Sequence, residues 1–170
     1  VLKRLLPLTL TGLIIAVDQL TKWLALSLLP YGRPVTAVGE VARFVLVTNR
    51  AIAFSIGRSL GEPGRILIAL VFPIAVMGVV TYYLLFGKEL TSTQRWLLAA
   101  ILGGGLGNLV DRIFRSGAVV DFVQLKVYGL FGLDYWPVFN AADATVVVGG
   151  LLLLIMYIIT GSKVRHEQES

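Results

Sequence analysis

The chain has 170 residues, 56% of them hydrophobic and only 15% charged, where soluble domains carry about 25% charged residues, so it lacks the polar surface to cover a globule in water. Fifteen basic against ten acidic residues leave a net charge of +5. The cations stand singly between apolar blocks, which argues against a nucleic-acid partner and for a membrane surface with anionic headgroups.

With no cysteine in the chain, disulfides and thiolate chemistry are excluded, and the single histidine, His166, sits in a polar tail, so imidazole-based zinc chemistry has no support. A bilayer core takes about 20 apolar residues in helical form, and four stretches qualify. The first runs from about residue 5 to 29, apolar except for Asp18, Gln19 and Lys22 near its far end. The second covers about 66 to 86 with Pro73 inside as an expected kink, and the third about 96 to 114, with Gly103, Gly104, Gly105 and Gly107 in it. The fourth covers about 139 to 160 and is expected to close at Gly161.

Lys3 and Arg4 before an apolar run resemble the start of a signal peptide, but three further spans follow, so an uncleaved first span is expected. Four spans put both termini on one side. Lys3, Arg4, Lys88, Arg95, Lys163 and Arg165 mark that side as cytoplasmic, although the opposite side holds more cations by raw count.

Between the first two spans, Val41 to Phe54 reads as strand, and so does Ala118 to Val123 after the third. Together they predict a small sheet on the extracytoplasmic face. Tyr128 to Trp136 reads as an interfacial loop, with Tyr135 and Trp136 at headgroup level. The expected fold is an all-α membrane protein: one domain over residues 1–170, four transmembrane helices, a small extracytoplasmic β-sheet and an interfacial loop.

Ionisable groups at membrane depth are costly and therefore functional candidates. Asp18 and Lys22, four apart, share a face of the first helix and can pair, either as a plain structural ion pair or in support of a site. Asn108 and Arg112 share a face of the third span, with Asp111 close by; the glycines before them read as packing. Asp121 follows two valines in the second β-like stretch, and Asp143 lies one turn into the fourth helix with Asn140 three residues earlier. Both acids fall at the same membrane boundary.

Two carboxylates that close share a proton, so one can take a proton from attacking water while the other donates one. A coupled pair could equally bind a cation, which leaves a small proton- or cation-coupled transporter open as a second reading, and an inert scaffold as a third. No internal repeat of the kind such transporters often show is visible. Gly-x-Ser-x-Gly and His-Glu-x-x-His are absent, so serine and zinc peptidase designs have no motif here.

These motifs resemble those of bacterial lipoprotein signal peptidase, also called signal peptidase II. Asp18-Gln19-Leu20-Thr21-Lys22 is similar to its Asp-Gln-x-x-Lys signature. The run from Gly104 to Arg112 resembles its Gly-Gly-x-x-Gly-Asn-x-x-Asp-Arg block, and Val119 to Phe122 and Phe139 to Asp143 resemble the segments bearing its aspartates. Asn49 to Ser55 departs from the family's Asn-x-Gly-Ala-x-Phe, with Ala51 in place of glycine and Ile52 in place of alanine.

The resemblance implies an aspartic endopeptidase of the bacterial cytoplasmic membrane. Its substrate would be a prolipoprotein whose cysteine already carries diacylglycerol, cut just before that cysteine. Asp121 and Asp143 would be the catalytic pair. Asn49 and Arg112 would contact the substrate backbone, and Asp18, Lys22, Asn108, Asp111 and Asn140 would hold the site in shape. The resemblance implies no metal and no organic cofactor, membrane lipid as surroundings, and a monomer.

Overall fold

The computed structural model describes residues 2–49, 64 and 66–169, with side chains from residue 4 to residue 159. Ala51, Ile52 and the rest of the expected strand beyond Asn49 lie outside the described residues, as do Arg50, Arg58 and Arg65.

After a helical turn at Leu2–Leu5, helix α1 runs over Leu8–Leu28, followed by strands β1 (Val35–Val38) and β2 (Ala42–Asn49). Helices α2 (Leu67–Phe86) and α3 (Ser92–Phe114) come next. Strand β3 (Val119–Leu125), a 3-10 turn at Leu130–Gly132 and helix α4 (Ala141–Glu169) complete the order.

Among the described residues three helical stretches are long and apolar enough to cross a membrane, Leu67–Phe86, Ser92–Phe114 and Ala141–Ile159, with mean hydropathies of 2.2, 1.4 and 2.2. Their large side chains turn outward: Phe72, Tyr82, Leu151 and Ile155 are exposed, as expected where lipid is the solvent. Helix α1 has 21 residues, and at 1.5 Å per residue reaches roughly 31 Å, a bilayer's hydrocarbon thickness. It is less apolar because it carries Asp18, Gln19 and Lys22, and both charged groups point inward, fully buried.

Local chemistry explains where the helices begin and end. Helix α3 starts at Ser92, a turn earlier than the apolar run predicts, because Thr91 and Gln94 close a capping box: the Gln94 N–H donates to Thr91 Oγ1 at 3.3 Å and the Thr91 N–H to Gln94 Oε1 at 2.9 Å. The buried Arg95 donates to the carbonyls of Leu84 and Gly87, satisfying acceptors that the end of α2 would otherwise leave open. Pro73 lacks the N–H of a regular turn, and the helix before it is wound as a π-turn over Leu67–Val71. Gly161 does not close α4, which continues to Glu169. A glycine ends a helix readily only in the left-handed region, which Gly161 does not occupy.

Helix α3 packs against α1, α2 and α4, and its glycines let all three approach. A Cβ on Gly103 would meet Ile14 of α1, one on Gly105 would meet Met77 of α2, and one on Gly104 would sit 2.5 Å from the Ala142 carbonyl oxygen of α4. Gly104→Ala is therefore expected to force α3 and α4 apart and destabilise the protein by about 1–3 kcal/mol. Gly150→Ala, with nothing within 4 Å of the added carbon, should be neutral or slightly stabilising; thermal unfolding in detergent compares the two.

Among the described residues one sheet forms, in the order β1-β2-β3, all antiparallel. The predicted two-piece sheet thus gains a strand, Val35–Val38, whose exposed residues lack the alternation that marks a half-buried strand. A register shift between Phe44 and Val47 sets Val47 opposite Asp121 and Asn49 opposite Val119. The sheet rests on the end of α1 through Ala25, Leu46, Val120 and Phe122. The 128–136 segment folds back as an irregular hairpin, with Lys126 bridged to Tyr135 and the Arg43 guanidinium 3.5 Å from the Tyr135 ring centre.

Candidate active site

Asp121 lies in β3 one residue after Val120, and the Asp111 carboxylate reaches across from α3 to accept the Val120 N–H at 2.9 Å. The strand bearing Asp121 is thus tied to the end of the third helix. Phe139 then pairs with Val123 in an isolated bridge, which brings the chain past β3 immediately before α4 begins.

Asn140 is the residue where these elements meet. The sequence places it on a helical face with Asp143; in the structure it precedes the helix and caps it. Its Oδ1 accepts the Asp143 N–H at 2.9 Å while its own N–H donates to Asp143 Oδ2 at 3.2 Å, a reciprocal cap. Its Nδ2 donates to Asp121 Oδ1 at 2.7 Å and to Asn108 Oδ1 at 3.1 Å. One buried amide therefore touches both aspartates. Asn108 completes the ring, donating from Nδ2 to Asp143 Oδ1 at 2.7 Å.

Beneath this pair lies a charged layer. Lys22 is fully buried between Asp18 at 2.8 Å and Asp111 at 3.1 Å, and its Nζ also donates to Asn108 Oδ1 at 2.9 Å. The expected pairing of Asp18 with Lys22 is present, but it lies deep in the protein. Asp18 does more than neutralise Lys22: its Oδ1 accepts the Ala142 N–H at 3.1 Å, holding the first turn of α4 against α1. Gly107 makes this possible, since a Cβ there would fall 2.7 Å from Asp18 Oδ2. Asp111 pairs with Lys22 and Arg115, while its sequence neighbour Arg112 donates to the Asn108 carbonyl. Among the described residues no buried side-chain nitrogen or oxygen lacks a hydrogen-bond partner, the condition under which a buried polar network can hold one geometry.

Asp121 is only 3% exposed. Burial first, and the Asp143 charge second, push its carboxyl from 3.8 up to about 6, against hydrogen bonds from Asn140 and Asn49 that pull it down. Asp143 is half-buried, on the open side of the pair. Arg112 is also half-buried and makes one long bond, from Nη1 to the Asn108 carbonyl at 3.5 Å. Its charge faces both aspartates, leaving guanidinium donors for a further acceptor. Asn49 closes the edge of the site from β2.

The family profile described as signal peptidase (SPase) II matches residues 10–159, which includes every residue of this cluster. The chain belongs to the signal peptidase II family. It is 39% identical to the lipoprotein signal peptidase of Treponema denticola over 97% of this chain and 95% of the relative. With the lipoprotein signal peptidase of Treponema pallidum it shares 38% identity over 90% of this chain and 83% of that protein. A bacterial membrane enzyme solved by the in meso method at 2.3 Å resolution superimposes with a TM-score of 0.77 at 22% identity, over 92% of this chain and 90% of that one. A second, at 1.9 Å, gives 0.75 at 22% identity, over 89% and 91%. These two likenesses show the shared fold.

As a member of this family the chain is a signal peptidase acting on prolipoproteins, and the transporter and scaffold readings fall away. The structure gathers Asp18, Lys22, Asn108, Asp111, Asn140 and Asp143 with Asp121 into one connected cluster, with Asn49 and Arg112 on its rim. Two members escape sequence reasoning. Gln19 donates to Asp18 Oδ2, the Gly107 carbonyl and Asp111 Oδ1 at 3.0–3.2 Å, and Arg115 pairs with Asp111 and donates to Gln19 Oε1. Gln19 had two available signals, an amide beside a charge in an otherwise apolar helix and its place in the Asp-Gln-x-x-Lys stretch. Arg115, one residue beyond α3, reads from sequence as a loop cation.

Proposed function

We propose that the protein removes signal peptides from diacylglyceryl-modified prolipoproteins, cutting just before the lipidated cysteine, with Asp121 and Asp143 as the catalytic pair. In this reading α1 is a fourth span, residues 1–170 form one monomeric domain in the bacterial cytoplasmic membrane, and both termini are cytoplasmic. The sheet, the 128–136 loop at the lipid interface and the aspartate pair occupy the extracytoplasmic face. The observation that carries it is Asn140, whose amide and N–H hold Asp121 and Asp143 at once.

The chemistry then follows from the two environments. Asp121, buried and pushed up to about 6, takes up the shared proton in the reactive form. Asp143, on the open side with two donors on its oxygens, takes a proton from water as the water oxygen bonds to the scissile carbonyl carbon. Asp121 gives its proton to the carbonyl oxygen, producing a tetrahedral diol. Asp143 then passes its proton to the amide nitrogen, the C–N bond breaks, and a diol proton returns to Asp121. Arg112 and Asn49 align the substrate backbone, and Asp18, Lys22 and Asp111 keep α1, α3 and β3 in register beneath it. A lipidated substrate reaches this site sideways from the bilayer.

A gel-shift cleavage assay tests the reading with a diacylglyceryl-modified prolipoprotein, its unmodified twin and the Asp143→Asn variant. The wild type is expected to cut only the lipidated form. The variant should lose at least about 100-fold in rate while keeping the wild-type unfolding profile. Near-normal turnover by folded Asp143→Asn would remove Asp143 from the mechanism, and equal cleavage of both substrates would remove the lipid requirement.

A further inference from the structure

Helix α3 ends at Phe114 and β3 begins at Val119, so four residues, Arg115 to Ala118, join the helix of Asp111 to the strand of Asp121. The chain turns there through two consecutive left-handed residues, Ser116 at φ 53° and Gly117 at φ 80°. Glycine adopts that conformation freely, but serine does so only where its surroundings hold it. Main-chain bonds brace the turn: the Arg115 N–H donates to the Asp111 carbonyl at 2.7 Å, and the Ala118 N–H to the Arg115 carbonyl at 3.0 Å.

The Arg115 side chain folds back onto α3. Its guanidinium pairs with Asp111 Oδ1, which also accepts the Gln19 amide at 3.0 Å, and it donates to Gln19 Oε1 at 3.4 Å. The other carboxylate oxygen, Oδ2, faces Lys22 at 3.1 Å and accepts the Val120 N–H at 2.9 Å. Lys22 already neutralises Asp111, so a second cation is not needed for charge. What Arg115 adds is orientation. With Oδ1 held by Arg115 and Gln19, turning the carboxylate away from Val120 would break bonds on both oxygens.

We infer that Arg115 is a positioning residue for the cleavage reaction: by clamping the Asp111 carboxylate at the turn from α3 to β3, it sets where the Asp121 carboxyl stands. The inference rests on the catalytic role proposed for Asp121. Arg115 acts on that carboxyl through one carboxylate and one peptide unit, since Asp121 directly follows Val120. A misplacement of about 1 Å at a reacting group can cost about 100-fold. Val120 keeps a second tie, its carbonyl accepting from Asn140 Nδ2 at 3.3 Å, so loss of the clamp alone should cost less, about tenfold. The Arg115 side chain is 28% exposed, and a partly exposed ion pair contributes little to stability, so its removal should leave the fold intact.

The test measures kcat and KM for a diacylglyceryl-modified prolipoprotein with wild type, Arg115→Ala and Arg115→Lys, each normalised to folded protein. Arg115→Ala should lower kcat about tenfold and change KM less than about twofold. Arg115→Lys, which keeps a cation four residues from Asp111, should recover most of the rate. In an Asp111→Asn background, Arg115→Ala should cost little more, because the two residues act in series. Thr91→Ala, which removes the cap at the far end of α3, lowers stability but should leave kcat at the wild-type value. Should Arg115→Ala fail to fold, Arg115→Gln takes its place with the same expectations. Wild-type kcat in the folded variant, a loss confined to KM, or a lysine variant no faster than alanine would each overturn the inference. Failure of the catalytic reading looks different: Asp121→Asn would then cleave at a near-normal rate, whatever the Arg115 variants do.

Discussion

Asp121→Asn is expected to abolish cleavage and, at neutral pH, to make the protein more stable. The loss follows from removing the acid that protonates the scissile carbonyl, and a factor of about 100 to 10,000 is the usual scale for one general acid or base. The gain follows from linkage. The folded protein holds the Asp121 carboxyl at about 6 against an ordinary 3.8, chiefly because burial opposes its charge. A carboxyl raised on folding contributes stability that is complete below about 3.8 and is lost as pH rises through about 6. By neutral pH that difference amounts to roughly 3 kcal/mol. Asparagine stays neutral throughout and can still accept from Asn140. Unfolding midpoints in detergent between pH 4 and pH 8 should therefore fall for the wild type and stay flatter for Asp121→Asn, the curves separating from about pH 4 and running parallel again above about 6. Curves parallel throughout would mean that Asp121 is no proton reservoir; a flat curve with retained cleavage would remove it from catalysis too.

Lys22→Met is expected to produce the largest loss of stability, about 3–5 kcal/mol. The ammonium is fully buried and neutralises Asp18 and Asp111 together. Without it Asp111 keeps Arg115, but Asp18 retains only the Gln19 amide and the Ala142 N–H. An ionised carboxylate so placed is far costlier than an apolar side chain of similar size. Adding Asp18→Asn to Lys22→Met should recover a large part of the stability, because the uncompensated charge disappears. It should not restore full cleavage, since Asn108 Oδ1 keeps Asn140 but has lost the charged one of the two donors that orient its amide toward Asp143. Thermal unfolding and the gel-shift assay on the single and double variants separate the two effects. A Lys22→Met protein as stable as wild type would show that the buried charges are solvated by some other route.

Much of this could be read directly from the chain. Apolar runs longer than a bilayer is thick located the helices of all four expected spans, because hydrophobic length is a local property. Asp18 and Lys22, four apart, could be assigned to one helix face for the same reason, and Asp121 and Asp143 stood out as acids at a shared boundary. Boundaries were less legible where a side chain decides them: Thr91 with Gln94 extends α3, and Asn140 caps α4 where a continuing helical face had been expected.

By itself the sequence determined the solvent, the helices and the ionisable residues that must be buried, since these follow from composition and spacing along one chain. Only the tertiary structure decided the partners. Asp111 could have paired with Arg112 beside it, yet it faces Lys22 from another helix; Asp18 reaches the first turn of α4 across 124 residues. Gln19 and Arg115 belong to the same class. The physical reason is rotational. Spacing fixes which residues share a face, but which face meets which neighbour depends on how closely the helices approach. Here that approach is set by Gly103, Gly104, Gly105 and Gly107, each meeting its neighbour where a methyl group would not fit.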